Sequence, residues 1–133
     1  MNRDEIFEKI KECVQDVLAI DDDEEDLIQP DASLTDDLGA ESIDFVEIIH
    51  LLSGTFDIEI ERNEAYPDRD FFTEEAYVTE DYTITEAGAE QLIARWPHLN
   101  KEKAQDYEAL MVYLRSISML IDFLVYRLNK QEV

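Results

Sequence analysis

The segment between residues 110 and 128 constrains the fold more strongly than any other part of the chain. It is the most apolar stretch, and its large apolar residues recur at spacings of four and three, the period of one face of an α-helix. Arg115, Asp122 and Arg127 interrupt it, so the sequence predicts a buried helix rather than a membrane span. The apolar stripe consists of Leu110, Leu114, Ile117, Ile121, Leu124 and Leu128.

Helical periodicity recurs elsewhere, and residues that favour turns are scarce. The 133 residues include only three Gly and three Pro, which argues against a loop-rich β-sandwich. Ser42 is predicted to be the N-cap of a helix that stops at Gly54, and residues 56–61 are predicted to be an extended loop. We therefore predict one all-α domain spanning 1–133. The predicted helices are Asp4–Ala19, Ser42–Ser53, Glu86–Arg95 and Lys101–Asn129, the last as one region that can bend near Glu108.

The net charge limits the class of partner. The chain has 34 acidic and 11 basic residues, which give a net charge of −23. Such a charge repels nucleic-acid phosphates and anionic lipids, so the sequence argues against nucleic-acid binding and against attachment to a membrane surface. It predicts partners that present basic patches.

The single cysteine and the acidic run after the first helix predict neither a disulfide nor a metal site. Cys13 lies on the apolar stripe of the first helix, so we expect a buried structural thiol. The run that begins at Asp21 lacks the Gly and Glu of an EF-hand loop, because Asp26 and Ala32 occupy those positions. We interpret it as solvent-exposed charge. The unpaired cysteine and the absence of a signal-peptide pattern favour a cytoplasmic protein.

The chain shows no arrangement suited to catalysis. A serine nucleophile needs a base within hydrogen-bond reach, and His50 lies two helical turns beyond Ser42. His98, the other histidine, follows Pro97 in a predicted turn. There is no nucleophile elbow and no glycine-rich phosphate loop. We predict that the chain is not an enzyme.

A short motif at the start of the second predicted helix indicates a function. Residues 37–44 read Asp-Leu-Gly-Ala-Glu-Ser-Ile-Asp. This run resembles the D-L-G-x-D-S-L motif of the acyl carrier protein family, whose serine takes a 4′-phosphopantetheine arm. The resemblance implies that Ser42 is the attachment site and that a separate phosphopantetheinyl transferase adds the arm from coenzyme A. Glu41 replaces the usual Asp and Ile43 the usual Leu, and both changes are conservative.

The resemblance extends over two segments of the chain. Residues 4–61 and 108–129 look like the family core, and residues 62–107 look like an insertion before the last helix. The resemblance implies an acyl-carrier-like four-helix bundle with an extra helical or irregular insertion. It also implies a monomer that holds acyl intermediates as thioesters for acyl-transferring or acyl-modifying enzymes of fatty-acid, lipid or polyketide biosynthesis. The alternatives are a peptidyl or aminoacyl carrier, an unmodified carrier-like interaction module, and an enzyme with its own nucleophile.

Two surfaces follow from the carrier interpretation. An acidic collar around Ser42 is predicted to dock basic patches of partner enzymes. The surplus of apolar residues has two interpretations, which can both hold: the insertion packs onto the last helix, or a cavity between the second and last helices shelters an acyl chain. Burial favours such shelter by roughly 0.8 kcal/mol per CH₂. The collar consists of Asp37, Glu41, Asp44 and Glu47, and the candidate cavity lining consists of Val46, Ile49, Ile58, Ile121 and Leu124.

Overall fold

The computed structural model describes residues 1–61 and 63–131, without the side chain of Gln131. The described residues form α-helices and two 3₁₀ helices, Asp22–Leu27 and Lys103–Gln105. Their only β-structure is two isolated bridges, Ser33 with Ser116 and Val78 with Ile84, so the predicted all-α class is confirmed. None of these helices is long and apolar enough to cross a membrane. The α-helices are α1 (Arg3–Leu18), α2 (Ser42–Phe56), α3 (Arg69–Phe72), α4 (Glu86–Arg95), α5 (Tyr107–Leu114) and α6 (Ile117–Gln131).

The chain divides into two compact units. The first unit combines Met1–Ile60 with Arg115–Val133 and contains α1, α2 and α6. The second unit is Glu61–Leu114 and contains α3, α4 and α5. The second unit therefore lies between the two segments of the first in the sequence, and α5 belongs to it.

The core of the first unit forms where α1 packs against both α2 and α6. Full burial of one large aliphatic or aromatic side chain contributes roughly 1.5–3 kcal/mol. Cys13 is buried in this core, as expected for a structural thiol, and its Sγ atom lies 3.6 Å from Thr55 Oγ1. The fully buried side chains of this core include Ile6, Ile10, Ile48, Leu52, Leu120 and Phe123.

The loop before α2 is anchored to the start of α6. The Leu34 N–H donates to the Arg115 carbonyl at 2.7 Å, and the Ile117 N–H donates to the Ala32 carbonyl at 3.1 Å. The Ser118 hydroxyl adds a hydrogen bond to the Pro30 carbonyl at 2.6 Å. These bonds fix the position from which the chain enters α2.

The second unit has an aromatic core. Phe71 stacks on Tyr77 with ring centroids 4.9 Å apart and meets Trp96 edge-on at 5.7 Å. The Trp96 indole N–H donates to the Asn63 carbonyl at 2.7 Å, so the polar end of this buried ring is satisfied. These contacts between aromatic side chains therefore form the packed core of the second unit.

Three predicted helix boundaries are wrong. Helix α2 runs through Gly54 and ends where Asp57 adopts a left-handed conformation with φ 53°. Its N-cap is Glu41 rather than Ser42. The predicted helix Lys101–Asn129 is divided into a 3₁₀ helix, α5 and α6. The break between α5 and α6 occurs because the backbone around Ser116 pairs with the loop residue Ser33 and leaves the helical hydrogen-bond pattern there.

Candidate functional site

A tight turn places Ser42 at the start of α2. Gly39 has φ +74°, a left-handed conformation that glycine adopts without steric cost. Its N–H donates to the Thr35 carbonyl at 3.1 Å, and the next N–H, of Ala40, donates to the Leu34 carbonyl at 2.8 Å. Ala40 is buried, so the chain returns to the surface at Glu41, the residue immediately before α2.

Ser42 is the first residue of α2 and its side chain is exposed. Among the described residues, no acceptor is hydrogen-bonded to the backbone N–H groups of Ser42 and Ile43. The Asp44 N–H donates to the Glu41 carbonyl at 2.9 Å. Unpartnered N–H groups at the positive end of a helix dipole suit an anion. An accessible hydroxyl beside such groups fits a phosphodiester-linked prosthetic group.

The four collar residues lie on both sides of Ser42, but they are not equivalent. The Asp37 carboxylate accepts a hydrogen bond from the Ser33 N–H at 2.8 Å, and the Asp44 carboxylate accepts one from the Glu41 N–H at 2.8 Å. These two carboxylates therefore also hold the loop and the first turn of α2. Glu41 and Glu47 are exposed. Removing the charge of Glu47 consequently disturbs local structure least.

The five candidate cavity residues differ in their surroundings. Ile121 and Leu124 are buried, and Ile49 and Ile58 are half-buried. Val46, however, is 69% exposed on α2. Four of the five residues thus lie wholly or partly in the interior of the first unit, and Val46 lies on its surface.

Sequence reasoning missed the exposed apolar face beside Ser42. Ile43 is 63% exposed and, with Val46, which was predicted to line the cavity, lies on an exposed face of α2. The buried face is formed instead by Ile48 and Leu52. Both faces have apolar residues at helical spacing, so periodicity alone did not distinguish them. The signal was the position of Val46, which lies four residues after the candidate attachment serine and therefore on the same side of the helix, with Ile43 three residues before it.

The remaining titratable groups do not form a catalytic arrangement with Ser42. His50 is exposed on α2, and the Nε2 atom of His98 in the second unit lies 2.8 Å from the Ala65 carbonyl. Burial raises the pKa of the Cys13 thiol, and the nearby carboxylate of Glu12 raises it further, so the thiol is a poor nucleophile at neutral pH.

One group of carboxylates lies close together in the acidic run after α1. The side-chain oxygens of Asp21, Asp23 and Glu24 are within 4.8 Å of one another, and all three residues are exposed. Exposed acidic groups are common without a bound ion. Their interpretation as solvent-exposed charge therefore stays a prediction.

Known proteins match the part of the chain that contains this site. The profile of the family described as "Phosphopantetheine attachment site" matches residues 8–72. The acyl carrier protein of Petrotoga mobilis is 44% identical over 64 residues, which are 48% of this chain and 72% of that protein. The acyl carrier protein of Clostridium acetobutylicum is 47% identical over 60 residues, 45% of this chain and 74% of that protein. That of Thermosynechococcus vestitus is 43% identical over 65 residues, 49% and 76% respectively. No solved structure matches the chain significantly.

These matches place the chain among the carriers that bear a phosphopantetheine group rather than among catalysts. The chain belongs to the acyl carrier protein family. Its prosthetic group is accordingly a covalently attached 4′-phosphopantetheine, and its partners include a phosphopantetheinyl transferase and acyl-handling enzymes. The matched profile ends at residue 72, so most of the second unit lies outside it.

Proposed function

We propose that Ser42 carries the 4′-phosphopantetheine arm and that the first unit presents acyl intermediates as thioesters to enzymes of fatty-acid, lipid or polyketide biosynthesis. One observation carries the proposal. Ser42 is an exposed serine at the start of a 15-residue helix, beside two N–H groups that have no acceptor among the described residues. The arm, when attached, supplies the thiol that forms the thioester.

The residues around Ser42 position the arm and do not perform chemistry. The N–H groups of Ser42 and Ile43 stabilise the negative charge of the phosphodiester, by about 0.3–1 kcal/mol for an exposed anion at a helix end. The hydrogen bonds of Gly39 and Ala40 hold the preceding turn and so fix the position of Ser42 at the surface. Because the transferase supplies the catalytic groups, Ser42 needs access and no neighbouring base.

The surface beside Ser42 supports docking by a basic partner. The segment 36–47 contains five acidic residues and no lysine or arginine. Ile43 and Val46 add exposed apolar area between these charges. Charge steers the encounter, and burial of the two apolar side chains stabilises the complex. We therefore assign docking to the acidic collar together with Ile43 and Val46.

The first unit is also the part of the chain that holds the acyl group. Ile49, Ile58, Ile121 and Leu124 offer apolar surface to an acyl chain inside the first unit, and Val46 lies at the surface where such a chain would enter. The carrier function belongs to Met1–Ile60 with Arg115–Val133, and Glu61–Leu114 is an insertion. The protein acts as a cytoplasmic monomer, which suits one unpaired buried cysteine.

The decisive experiment is intact mass spectrometry after incubation with coenzyme A and a broad-specificity phosphopantetheinyl transferase. The unaltered protein is expected to gain one phosphopantetheinyl group, mapped to the peptide that contains Ser42. Ser42→Ala should gain none. Ser53→Ala is the matched control, because Ser53 lies on the same helix with its hydroxyl bonded to the Ile49 carbonyl, and this variant should be modified normally. Addition to Ser42→Ala would refute the site, and no addition to the folded unaltered protein would favour the unmodified interaction module.

A further inference from the structure

The second unit contains an open groove that the carrier function does not use. It has a volume of about 650 Å³ and lies along one side of α4, facing the residues around the 3₁₀ helix Lys103–Gln105. Ile84, Ala89 and Ile93 give it apolar lining. Glu86, Glu90 and Lys101 give it charge.

An exposed tyrosine is held next to this groove by a tight turn. The Thr79 N–H donates to the Thr83 carbonyl at 2.9 Å, and the Tyr82 N–H donates to the Thr79 carbonyl at 3.0 Å. The bridge between Val78 and Ile84 closes the turn. Tyr82 lies in the turn with φ +61° and is 67% exposed. A positive φ is uncommon for a non-glycine residue, and most of this aromatic side chain is accessible to a ligand.

The tyrosine forms part of an aromatic pair near the groove. The rings of Tyr82 and Tyr107 are 5.2 Å apart. Ile84 and Gln105 both line the groove, and each lies two residues from one of these tyrosines. Two residues of chain span at most about 7 Å, so the backbone of both tyrosines lies close to the groove.

The charges around the groove favour a cationic occupant. Glu86 and Glu90 lie four residues apart on the same side of α4. No lysine, arginine or histidine of the described residues lies within 4 Å of either carboxylate, Lys101 included. The second unit as a whole has 13 acidic and five basic residues, a net charge of −8. An anionic ligand or an anionic membrane surface would be repelled.

The same unit already pairs a guanidinium group with aromatic rings. The Arg95 guanidinium lies 5.4 Å from the Tyr77 ring centroid and 5.7 Å from that of Phe71. Tyr82 and Tyr107 offer a similar platform, and no cation of the described residues occupies it. Arginine is the natural match, because its planar group stacks on aromatic rings and also pairs with carboxylates.

We propose that this groove binds an extended, arginine-containing basic segment of a partner protein. Arginine side chains stack on the Tyr82–Tyr107 pair and pair with Glu86 and Glu90, and apolar side chains contact Ile84, Ala89 and Ile93. The groove belongs to the second unit and Ser42 to the first, and the proposed binding does not depend on the arm. The second unit thereby gives the chain a means of selecting a partner in addition to the acidic collar.

The test uses the full chain without the arm and a capped pentapeptide that alternates leucine and arginine. Binding is followed by amide chemical shifts in NMR at about 150 mM salt, where long-range attraction is largely screened. The shifts are expected to map to residues 82–93 and 101–107. A matched peptide with citrulline in place of arginine keeps the shape and loses the charge, and it should bind at least about fivefold more weakly.

Variants separate specific binding from general attraction to an acidic protein. Tyr82→Ala and the pair Glu86→Gln with Glu90→Gln should each weaken binding about fivefold, and Tyr82→Phe should retain it. The pair Glu24→Gln with Glu25→Gln removes the same charge from an exposed acidic segment of the first unit and should change the affinity less than about twofold. Equal effects of the two charge-removing pairs would overturn the proposal. Shifts confined to residues 21–26 or 36–47, or equal binding of the citrulline peptide, would also overturn it.

Discussion

A methyl group added at Gly88 is expected to lower the stability of the second unit, whereas the same addition at Gly54 is expected to raise the stability of the first. Gly88 lies in the first turn of α4, and a Cβ atom there would be 2.3 Å from the Tyr77 carbonyl oxygen and 2.9 Å from its carbon. Real Cβ atoms essentially never approach other atoms this closely. The obstacle is backbone, so α4 and the segment at Tyr77 must move apart by about 1 Å to restore van der Waals contact.

The cost follows from the bonds that cross this contact. The Thr85 N–H donates to the Tyr77 carbonyl at 2.9 Å, and the Thr85 hydroxyl donates to the Ala76 carbonyl at 2.6 Å. Overpacking costs about 1–3 kcal/mol, and weakening these bonds costs about 1 kcal/mol each. The helix propensity of alanine returns about 1 kcal/mol. Gly88→Ala should therefore destabilise the second unit by about 2–4 kcal/mol.

Gly54→Ala is the matched control in the first unit. Gly54 is also helical, and no heavy atom beyond the local backbone lies within 4 Å of its added Cβ atom. The propensity gain should then act alone and stabilise the first unit by about 0.5–1 kcal/mol. The same chemical change is thus expected to have opposite signs in the two units.

Urea unfolding followed by tryptophan fluorescence measures the effect, because Trp96 is the only tryptophan and is buried in the second unit. A loss of about 2–4 kcal/mol lowers the midpoint by about 0.7–4 M for an unfolding slope of about 1–3 kcal/mol per M. Arm attachment at Ser42 should proceed as in the unaltered protein at low urea. A midpoint equal to or above that of the unaltered protein would refute the steric argument. Loss of attachment would refute the assignment of the carrier function to the first unit.

Four further predictions concern single side chains. Ser42→Ala should change the free energy of unfolding by no more than about 0.5 kcal/mol in urea titration, because Ser42 is the first helical residue and Glu41 is the N-cap; a loss above 1 kcal/mol contradicts this. Glu47→Lys should slow acylation by a partner enzyme severalfold, and Glu8→Lys on the exposed side of α1 should not; equal rates argue against the collar. Cys13 should react with a thiol reagent at neutral pH only after unfolding, because burial raises its pKa; rapid labelling of the folded chain contradicts this. Burial also raises the pKa of the Tyr66 phenol, so the free energy of unfolding should fall as the pH rises above 10, the ordinary pKa of the unfolded phenol. Tyr66→Phe should reduce that fall. If the variant has the same pH profile as the unaltered protein, Tyr66 does not cause the fall.

Much of the fold was predictable from local signals. The limits of α4 match the prediction of Glu86–Arg95, and α1 differs from its prediction by one residue at each end. Both helices have a polar residue that accepts a hydrogen bond at the N-terminus, Asn2 for α1 and Thr85 for α4. Where caps and periodicity agree, the sequence alone defines the element.

The site was predictable in part. The motif identified Ser42 and the helix start to within one residue, but it did not reveal that Asp37 and Asp44 accept backbone hydrogen bonds. The carrier interpretation placed Val46 in the lining of the cavity, whereas the structure has it exposed, and it did not predict the exposure of Ile43. Which apolar face of α2 is buried depends on where α1 packs, and no residue of α2 encodes that by itself.

The sequence by itself determined α1, α4 and the serine motif, because each depends on residues within a few positions of one another, and it determined the strongly negative charge, which depends on composition alone. Only the tertiary structure decided where the last helical region breaks. Residues 110–128 have continuous helical periodicity, yet the chain leaves the helix at Arg115 and Ser116. The reason is a set of long-range hydrogen bonds to Ala32 and Leu34, which local spacing does not report. That break is also where one compact unit ends and the other resumes, so the division of the chain was decided by contacts between distant residues.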